Sequence, residues 1–433
     1  MNVCVLGLWH LGSVTAACLA ALGHRVVGLD ADEGRIASLR SGAAPLFEPG
    51  LEELLRQGLA SGQLRFTSAA SEATAGADVL WVACDTAVTD EEPTQPHHVV
   101  AQVEQLIPAL PPGTLVVVSS QLPVGSVRRL QQYAAKCRAA DLTFACVPEN
   151  LRLGSAVSDF LRPERLVVGL EREADGEELR NLLHCIPAPI EWMSLEAAEM
   201  TKHAINAFLA VSVTFANELA RICEAVGADA KQVERGLKTD RRIGARAYLA
   251  PGAAFAGGTL ARDVGLLNRT AGEHGIFVPL LSSILPSNAA HRLWTRDTLR
   301  ALFADLSQTT IAMWGITYKP GTDTLRGSPA VELCDWLLEA GATIRVHDPI
   351  VSDLPPHWGA AVERCDSPVA AVRGAQALVL ATAWPLYRTI AAEQLLEAAA
   401  RLAVLDPQRF LPHLAAADER LSYFAVGMPR KVP

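Results

Sequence analysis

The sequence lacks the cysteine spacing of a disulfide framework or of a zinc site. Its 433 residues include nine cysteines, and no two of them form a C-x-x-C pair. Scattered cysteines of this kind are typical of reduced intracellular thiols. We therefore expect a cytoplasmic protein without a metal centre.

The sequence also lacks an excess of basic residues and any long apolar run. Lys and Arg number 38 against 47 Asp and Glu, which gives a formal net charge of −9. This balance argues against nucleic acid or an anionic membrane surface as a partner, although local basic clusters remain compatible with a small anion. The apolar N-terminus is interrupted by glycine and histidine and has no basic region before it, so we expect neither a signal peptide nor a membrane span.

What the sequence does contain is an alternation of short apolar runs with helical segments. Half of the residues are hydrophobic, which is enough for two or three domains with large cores. Strands bounded by turn residues and separated by helices are typical of a doubly wound parallel sheet. We predict such strands at residues 2–7, 25–30, 79–84, 114–119, 143–147 and 165–169.

The pattern changes near residue 195. From there the chain has helical periodicity and no proline or glycine until Gly227, which predicts a long helix that joins two domains and offers a homodimer surface. From about residue 308 the strand–loop–helix–strand pattern returns, without three spaced glycines. We predict a dinucleotide-binding Rossmann domain over 1–194, a central helical domain over 195–300 and a C-terminal α/β domain over 301–433.

The first turn, GLWHLG, carries an incomplete dinucleotide fingerprint. Gly7 and Gly12 occupy its first and third glycine positions, and Trp9 occupies the second, where the backbone normally approaches the pyrophosphate. Asp30 ends the second strand, where a carboxylate bonds the ribose hydroxyls and disfavours a 2′-phosphate, so NAD is favoured over NADP. Taken alone, the turn fits equally well a domain that binds NAD and one that has lost its cofactor.

Six longer motifs follow one another along almost the whole chain. They are FEPGLEELL (47–55), SSQLPVGS (119–126), VPENLRLGSAVSDFLRPERLVVG (147–169), AEMTKHAINAFLAVSVTFANELA (198–220), DRRIGARAYLAPGAAFAGGTLARDV (240–264) and GITYKPGTDTLRGSPA (315–330). Together they resemble the motifs of the UDP-glucose/GDP-mannose dehydrogenase family. The resemblance implies oxidation of a sugar C6 alcohol to an acid with two NAD reduced, where a cysteine thiolate traps the intermediate aldehyde.

The cysteine of that family is missing. AFAGGTLARD (254–263) aligns without a gap to G-Y-G-G-S-C-F-P-K-D, which puts Thr259 on the cysteine, Arg262 on the lysine and Asp263 on the aspartate. A free thiol has a pKa of about 8.5 and is a few per cent thiolate at neutral pH. A threonine hydroxyl needs a dedicated base, so the acyl-enzyme route is in doubt. A threonine after two glycines is equally typical of a turn or a helix cap.

The resemblance implies roles for further residues. Lys202 would stabilise developing oxyanion charge beside Asn206, Glu149 would handle a proton or water, and Asp263 would orient a water with Thr259. Cofactor contacts are expected at Gly7, Trp9, His10, Leu11, Gly12, Asp30, Arg35, Thr86, Ser120, Gln121 and Arg262. Substrate contacts are expected at Glu149, Leu151, Lys202, Asn206, Arg242, Phe255, Gly258, Lys319, Arg326 and Arg409.

Three functions follow as hypotheses. The first is an NAD-dependent nucleotide-sugar 6-dehydrogenase that acts on a UDP-hexose such as UDP-glucose. It either stops at the aldehyde or oxidises the aldehyde hydrate directly, and the nucleophile chemistry favours the stop. The second is an epimerase-like enzyme that recycles bound NAD. The third is a non-catalytic nucleotide-sugar-binding protein.

Overall fold

The computed structural model describes residues 1–86, 95–137, 141–256 and 258–429. Two compact units divide the chain, Met1–Ile205 and Asn206–Pro433. The predicted division into three domains stays a prediction, because the two compact units meet at a single boundary, which lies within the long helix.

The first unit is built on an eight-stranded sheet with the order β3-β2-β1-β4-β5-β6-β7-β8. Its strands are β1 (Asn2–Leu6), β2 (Arg25–Leu29), β3 (Leu64–Thr67), β4 (Val79–Val82), β5 (Leu115–Val118), β6 (Thr143–Cys146), β7 (Leu166–Leu170) and β8 (Ile190–Met193). Its helices are α1 (His10–Ala21), α2 (Glu33–Arg40), α3 (Leu51–Ser61), α4 (Ala70–Thr74), α5 (Pro96–Leu106), α6 (Ser126–Lys136), α7 (Ala156–Leu161) and α8 (Glu177–Leu183).

The six predicted strands of this unit are confirmed, most of them one or two residues shorter. The central strands β4 and β5 read VLWV and LVVV and are buried at every position, because helices cover both faces of the sheet. The sheet is not wholly parallel, since β7 pairs antiparallel with β6. The outer strands β3 and β8 were not predicted; each is four residues long, and β8 is mostly half-buried.

The long helix is α9, Leu195–Val226. It confirms the predicted helix and ends at the residue before Gly227, which adopts φ +78°. The boundary between the two compact units falls at its eleventh residue.

The second unit has a six-stranded, all-parallel sheet with the order β11-β10-β9-β12-β13-β14. The strands are β9 (Thr310–Trp314), β10 (Thr343–His347), β11 (Val362–Arg364), β12 (Ala377–Leu380), β13 (Leu402–Leu405) and β14 (Leu421–Phe424). The helices are α10 (Ala230–Thr239), α11 (Thr259–Glu273), α12 (Pro279–Arg292), α13 (Trp294–Leu302), α14 (Pro329–Glu339), α15 (Pro368–Val372) and α16 (Ala392–Ala398).

The turn after β9 in the second sheet has the same hydrogen bond as the turn after β1 in the first. Gly315 follows β9 at φ +80°, and the next amide, that of Ile316, donates to the Asp348 carboxylate after β10 at 2.8 Å. Leu8 donates to Asp30 at the same distance in the first sheet. The predicted internal repeat is therefore confirmed.

Among the described residues, no helix combines the length and apolarity that a membrane crossing requires.

Candidate active site

The turn between β1 and α1 brings two backbone segments so close that only glycine fits. Gly7 adopts φ +84°, and a Cβ added to it would lie 2.6 Å from Cys84 Sγ. A Cβ on Gly12 would lie 1.6 Å from the carbonyl oxygen of Gly7. The turn therefore holds the start of α1 against the carboxyl end of β1, where a dinucleotide pyrophosphate binds in this kind of fold.

Asp30 and Arg35 form an ion pair beside this turn. The Asp30 carboxylate accepts from the Leu8 amide at 2.8 Å and from Arg35 Nη1 at 2.7 Å. The Arg35 guanidinium also stacks on the Trp9 ring, 5.2 Å from its centroid. The Trp9 indole therefore lies against Arg35, near Asp30 at the end of β2, and 39% of the Trp9 surface stays exposed.

The first turn of α1 is bordered by two carboxylates that sequence reasoning did not assign. Glu48 is buried and accepts from His10 Nε2 at 2.9 Å and from the amides of Gly154 and Ala156, both at 2.8 Å. Asp85 accepts from the Leu11 amide at 3.1 Å. The position of Asp85, three residues beyond β4 and next to the topological switch point of the sheet, is the signal that could have identified it.

Three more predicted cofactor residues lie after the central strands. Thr86 follows β4 and is buried; Ser120 follows β5, is buried, and contacts the Val82 carbonyl; Gln121 comes next. The carboxyl ends of β1, β4 and β5 therefore supply glycine, hydroxyl and amide groups at one edge of the sheet. These residues fit a dinucleotide. The predicted contact Arg262 belongs to the second unit, on α11.

A second cluster of the first unit lies on α9 and the loop after β6. The Lys202 ammonium is 3.8 Å from Glu149 Oε1 and donates to Asn150 Oδ1 at 3.4 Å. The other Glu149 oxygen accepts from the Leu151 amide at 2.7 Å. Lys202 is only 9% exposed. The arrangement presents a largely buried cation beside a carboxylate, which suits it to stabilise an oxyanion and to accept a proton.

In the second unit, Asn206 lies four residues after Lys202 along α9 and donates to Asp263. Asp263 is fully buried, and Arg262 Nε lies 3.7 Å from its other oxygen. Thr259 is the first residue of α11, so both Thr259 and Asp263 lie in the opening turn and a half of one helix. Their spacing of four residues puts them on one face of it.

The loop before α11 is closed by contacts within the second unit. The backbone N–H of Phe255 donates to Asn288 Oδ1 at 3.0 Å, and Asn288 Nδ2 donates to the Phe255 carbonyl at 2.8 Å. A Cβ on Gly258 would lie 2.8 Å from the Tyr318 hydroxyl. Burial raises the pKa of Tyr318, so this hydroxyl stays protonated. Gly257 of the same motif lies outside the described residues.

The remaining predicted substrate residues are spread over the second unit. Lys319 and Arg326 lie in the loop after β9. Arg242 is 89% exposed and pairs with Asp240 at 2.7 Å. Arg409 follows β13 at φ +52°, and its Nη1 binds both oxygens of Asp229 at 2.7 and 3.0 Å. Buried Nε and Nη2 of Arg409 have no hydrogen-bond partner among the described residues.

Comparison with known proteins identifies this arrangement. The chain matches the NAD-binding, central and UDP-binding domain models of the UDP-glucose/GDP-mannose dehydrogenase family over residues 1–186, 196–290 and 312–413, respectively. The chain belongs to this family. It is an NAD-dependent oxidoreductase that acts on CH–OH groups.

Relatives of this dehydrogenase extend over its full length. A UDP-glucose 6-dehydrogenase of Pseudomonas aeruginosa is 35% identical over 99% of this chain and 98% of its own. A UDP-glucose 6-dehydrogenase of Rhizobium meliloti is 32% identical over 99% and 100%. The solved UDP-glucose dehydrogenase of Pyrobaculum islandicum superposes with a TM-score of 0.86 at 30% identity, over 99% of this chain and 98% of that one.

No described cysteine of this dehydrogenase stands near position 259 in the sequence, and burial makes several of the others poor nucleophiles. Burial, with the Asp30 and Asp85 carboxylates, raises the pKa of Cys84 to about 12. Burial alone raises the pKa of Cys4 to the same range. These thiols are protonated at neutral pH and are therefore poor nucleophiles.

Proposed function

We propose that this dehydrogenase oxidises the C6 hydroxymethyl group of a UDP-hexose, with UDP-glucose as the first candidate, and releases the 6-aldehyde. The family and the names of the relatives support the substrate class. The observation that carries the proposal is a split in the catalytic set. Lys202 and Glu149, to which we assign the alcohol oxidation, lie 3.8 Å apart, whereas the residue that aligns with the family's cysteine is Thr259.

The first oxidation needs only the groups of the Lys202 cluster. The C6 hydroxyl loses its proton, and a hydride leaves C6 as the carbon–oxygen double bond forms, so one alcohol gives one aldehyde, one NADH and one proton. NAD supplies the hydride acceptor. Lys202 stabilises the developing alkoxide, and because it is nearly buried its charge is worth more there than in water. Glu149, 3.8 Å from Lys202, provides the carboxylate that takes the proton.

The second oxidation needs a nucleophile on C6 before another hydride can leave. A cysteine thiolate would provide it by forming a thiohemiacetal, which then yields a thioester and a second NADH. Thr259 carries a hydroxyl instead, and no carboxylate hydrogen-bonded to that hydroxyl is found among the described residues. Asp263, the nearest acid along α11, already holds Asn206. The covalent route is therefore closed at Thr259, and the aldehyde is the expected product.

The basic residues of the second unit suit a nucleoside diphosphate. Lys319 and the exposed Arg326 lie in the loop after β9, and Nε and Nη2 of Arg409, which have no hydrogen-bond partner among the described residues, can donate to an anion. Guanidinium groups bind diphosphates with paired hydrogen bonds. We assign these residues to the UDP moiety, and Phe255, Gly258, Leu151 and Arg242 to further substrate contacts, as proposals for mutagenesis.

We also propose a homodimer formed through α9. Phe208, Phe215 and Ile222 are 68%, 49% and 59% exposed and recur every seven residues, which makes an apolar stripe along one side of the helix. Light scattering on the Phe208→Glu/Phe215→Glu variant should give half the mass of the parent protein. Phe277→Glu, which changes an 88% exposed phenylalanine elsewhere, is the matched control and should leave the mass unchanged.

A panel of UDP- and GDP-hexoses with NAD tests the function. Mass spectrometry should find the 6-aldehyde or its hydrate from UDP-glucose, with NADH rising in step. Product without net NADH would instead support an enzyme that recycles the cofactor. Binding of a UDP-hexose without turnover of any panel member would support a non-catalytic role.

A further inference from the structure

We propose that Asp85 sets the dinucleotide affinity of this enzyme by competing with the pyrophosphate for the N-terminus of α1. Its carboxylate bonds the Leu11 amide, one of the groups that an anion at this helix end would use. Asp85 thereby weakens binding of both NAD and NADH.

The hydrogen bonds of the first turn of α1 define the competition. The amides of His10, Leu11 and Gly12 have no i−4 carbonyl within the helix, and the first intrahelical bond starts at the Ser13 amide. Ser13 donates to the Trp9 carbonyl at 3.0 Å, and Leu11 donates to Asp85 Oδ2 at 3.1 Å. The strand ends and the close contact of Gly12 with Gly7 direct these amides toward the edge where the pyrophosphate binds.

The charge of Asp85 acts in the same direction as its hydrogen bond. The N-terminus of a helix carries a partial positive charge that attracts an anion. The Asp85 carboxylate already occupies part of that position and offsets this charge. A pyrophosphate at the same amides then meets a like charge at close range, in a partly buried corner where repulsion is stronger than in water. A side chain that keeps the hydrogen bond but carries no charge should therefore bind the dinucleotide more tightly.

The corner is also distinct from the ribose end of the site. Asp30, the expected ribose carboxylate, pairs with Arg35 at 2.7 Å, whereas the Asp85 carboxylate bonds the Leu11 amide at the N-terminus of α1. Asp85 should therefore lower the affinity for ligands that carry phosphates and leave the affinity for adenosine unchanged. NADH, ADP and adenosine distinguish these two effects, because NADH and ADP carry a diphosphate and adenosine does not.

Calorimetric titration of full-length protein tests the proposal without any sugar substrate. Asp85→Asn should bind NADH and ADP about ten-fold more tightly than the parent. Adenosine should bind both proteins equally. Asp78→Asn is the matched control, because Asp78 precedes the same strand β4 at its opposite end and accepts one backbone amide, that of Asn2, at 2.7 Å.

The proposal is overturned if Asp85→Asn binds NADH with unchanged or weaker affinity while its thermal melt matches that of the parent. It is equally overturned if adenosine tightens as much as ADP does, or if Asp78→Asn shows the same gain, because the cause would then be net charge. Asp85→Ala, which removes the hydrogen bond as well, should gain at least as much as Asp85→Asn.

Discussion

Replacing Gly12 by alanine tests the account of the nucleotide-binding turn. The added methyl would lie 1.6 Å from the Gly7 carbonyl oxygen, where ordinary van der Waals contact begins at 3.4 Å. That oxygen belongs to the backbone of a turn fixed at φ +84°, so α1 must move away from β1. Overpacking of a core costs about 1–3 kcal/mol, and a clash with backbone falls at or above the upper end. We expect a loss of about 3 kcal/mol or more in the stability of the first unit.

The assays for Gly12→Ala are urea unfolding and NADH fluorescence, with Gly236→Ala as the matched control. Gly236 lies inside α10 with nothing within 4 Å of an added Cβ, so alanine there should stabilise the protein by about 0.5–1 kcal/mol. Because the pyrophosphate-binding amides belong to the displaced helix, NADH binding should weaken at least about a hundred-fold in Gly12→Ala and stay unchanged in Gly236→Ala. Parental stability and NADH affinity in Gly12→Ala would refute the described turn.

Three further predictions concern single side chains. Lys202→Met should lower kcat by about 10²–10³-fold with little change in the Kd of NADH, and a loss below three-fold in rapid-quench assays would remove Lys202 from the chemistry. Thr259→Cys should yield uronate by mass spectrometry and become sensitive to iodoacetamide; an aldehyde-only product would show that the position does not limit oxidation. Burial lowers the pKa of His291, whose Nε2 donates to the Gly252 carbonyl at 2.8 Å. As the pH falls, the imidazole is therefore protonated in the unfolded chain before it is protonated in the folded one. His291 should lower the free energy of unfolding below about pH 6.5, by up to about 1.4 kcal/mol at about pH 5.5. His291→Gln should flatten that part of a urea-midpoint profile, and an unchanged profile would contradict the assignment.

The sequence predicted those parts of the fold that local pattern determines. The strand, turn, helix and strand that end in Asp30 are confirmed, because buried parallel strands are continuous apolar runs and a helix of alanine and leucine packs on them. The strands β3, β8, β11 and β14 were not predicted, since they are the edge strands of the two sheets and polar residues interrupt their short apolar runs. The antiparallel pairing of β7 with β6 depends on how the chain returns to the sheet, which no local pattern states.

Sequence motifs predicted some residues of the candidate site, whereas other contacts of the site are seen only in the structure. Motif order predicted Glu149 and Lys202, which lie within 3.8 Å of each other although 53 positions separate them. The contacts of Asp85 with Leu11 and of Glu48 with Ala156 join residues 74 and 108 positions apart, and neither follows from spacing. The stacking of Trp9 on Arg35 likewise needed coordinates, because the turn alone does not say where a tryptophan in place of glycine directs its ring.

The ratio of NADH formed to UDP-glucose consumed by the unmodified enzyme decides whether the reaction ends at the aldehyde or at the acid. In the proposed function, threonine at position 259 leaves the alcohol oxidation intact and closes the covalent route to the acid. The account predicts one NADH per sugar, with the 6-aldehyde trapped as its oxime by hydroxylamine. Two NADH per sugar with UDP-glucuronate as the product would contradict it.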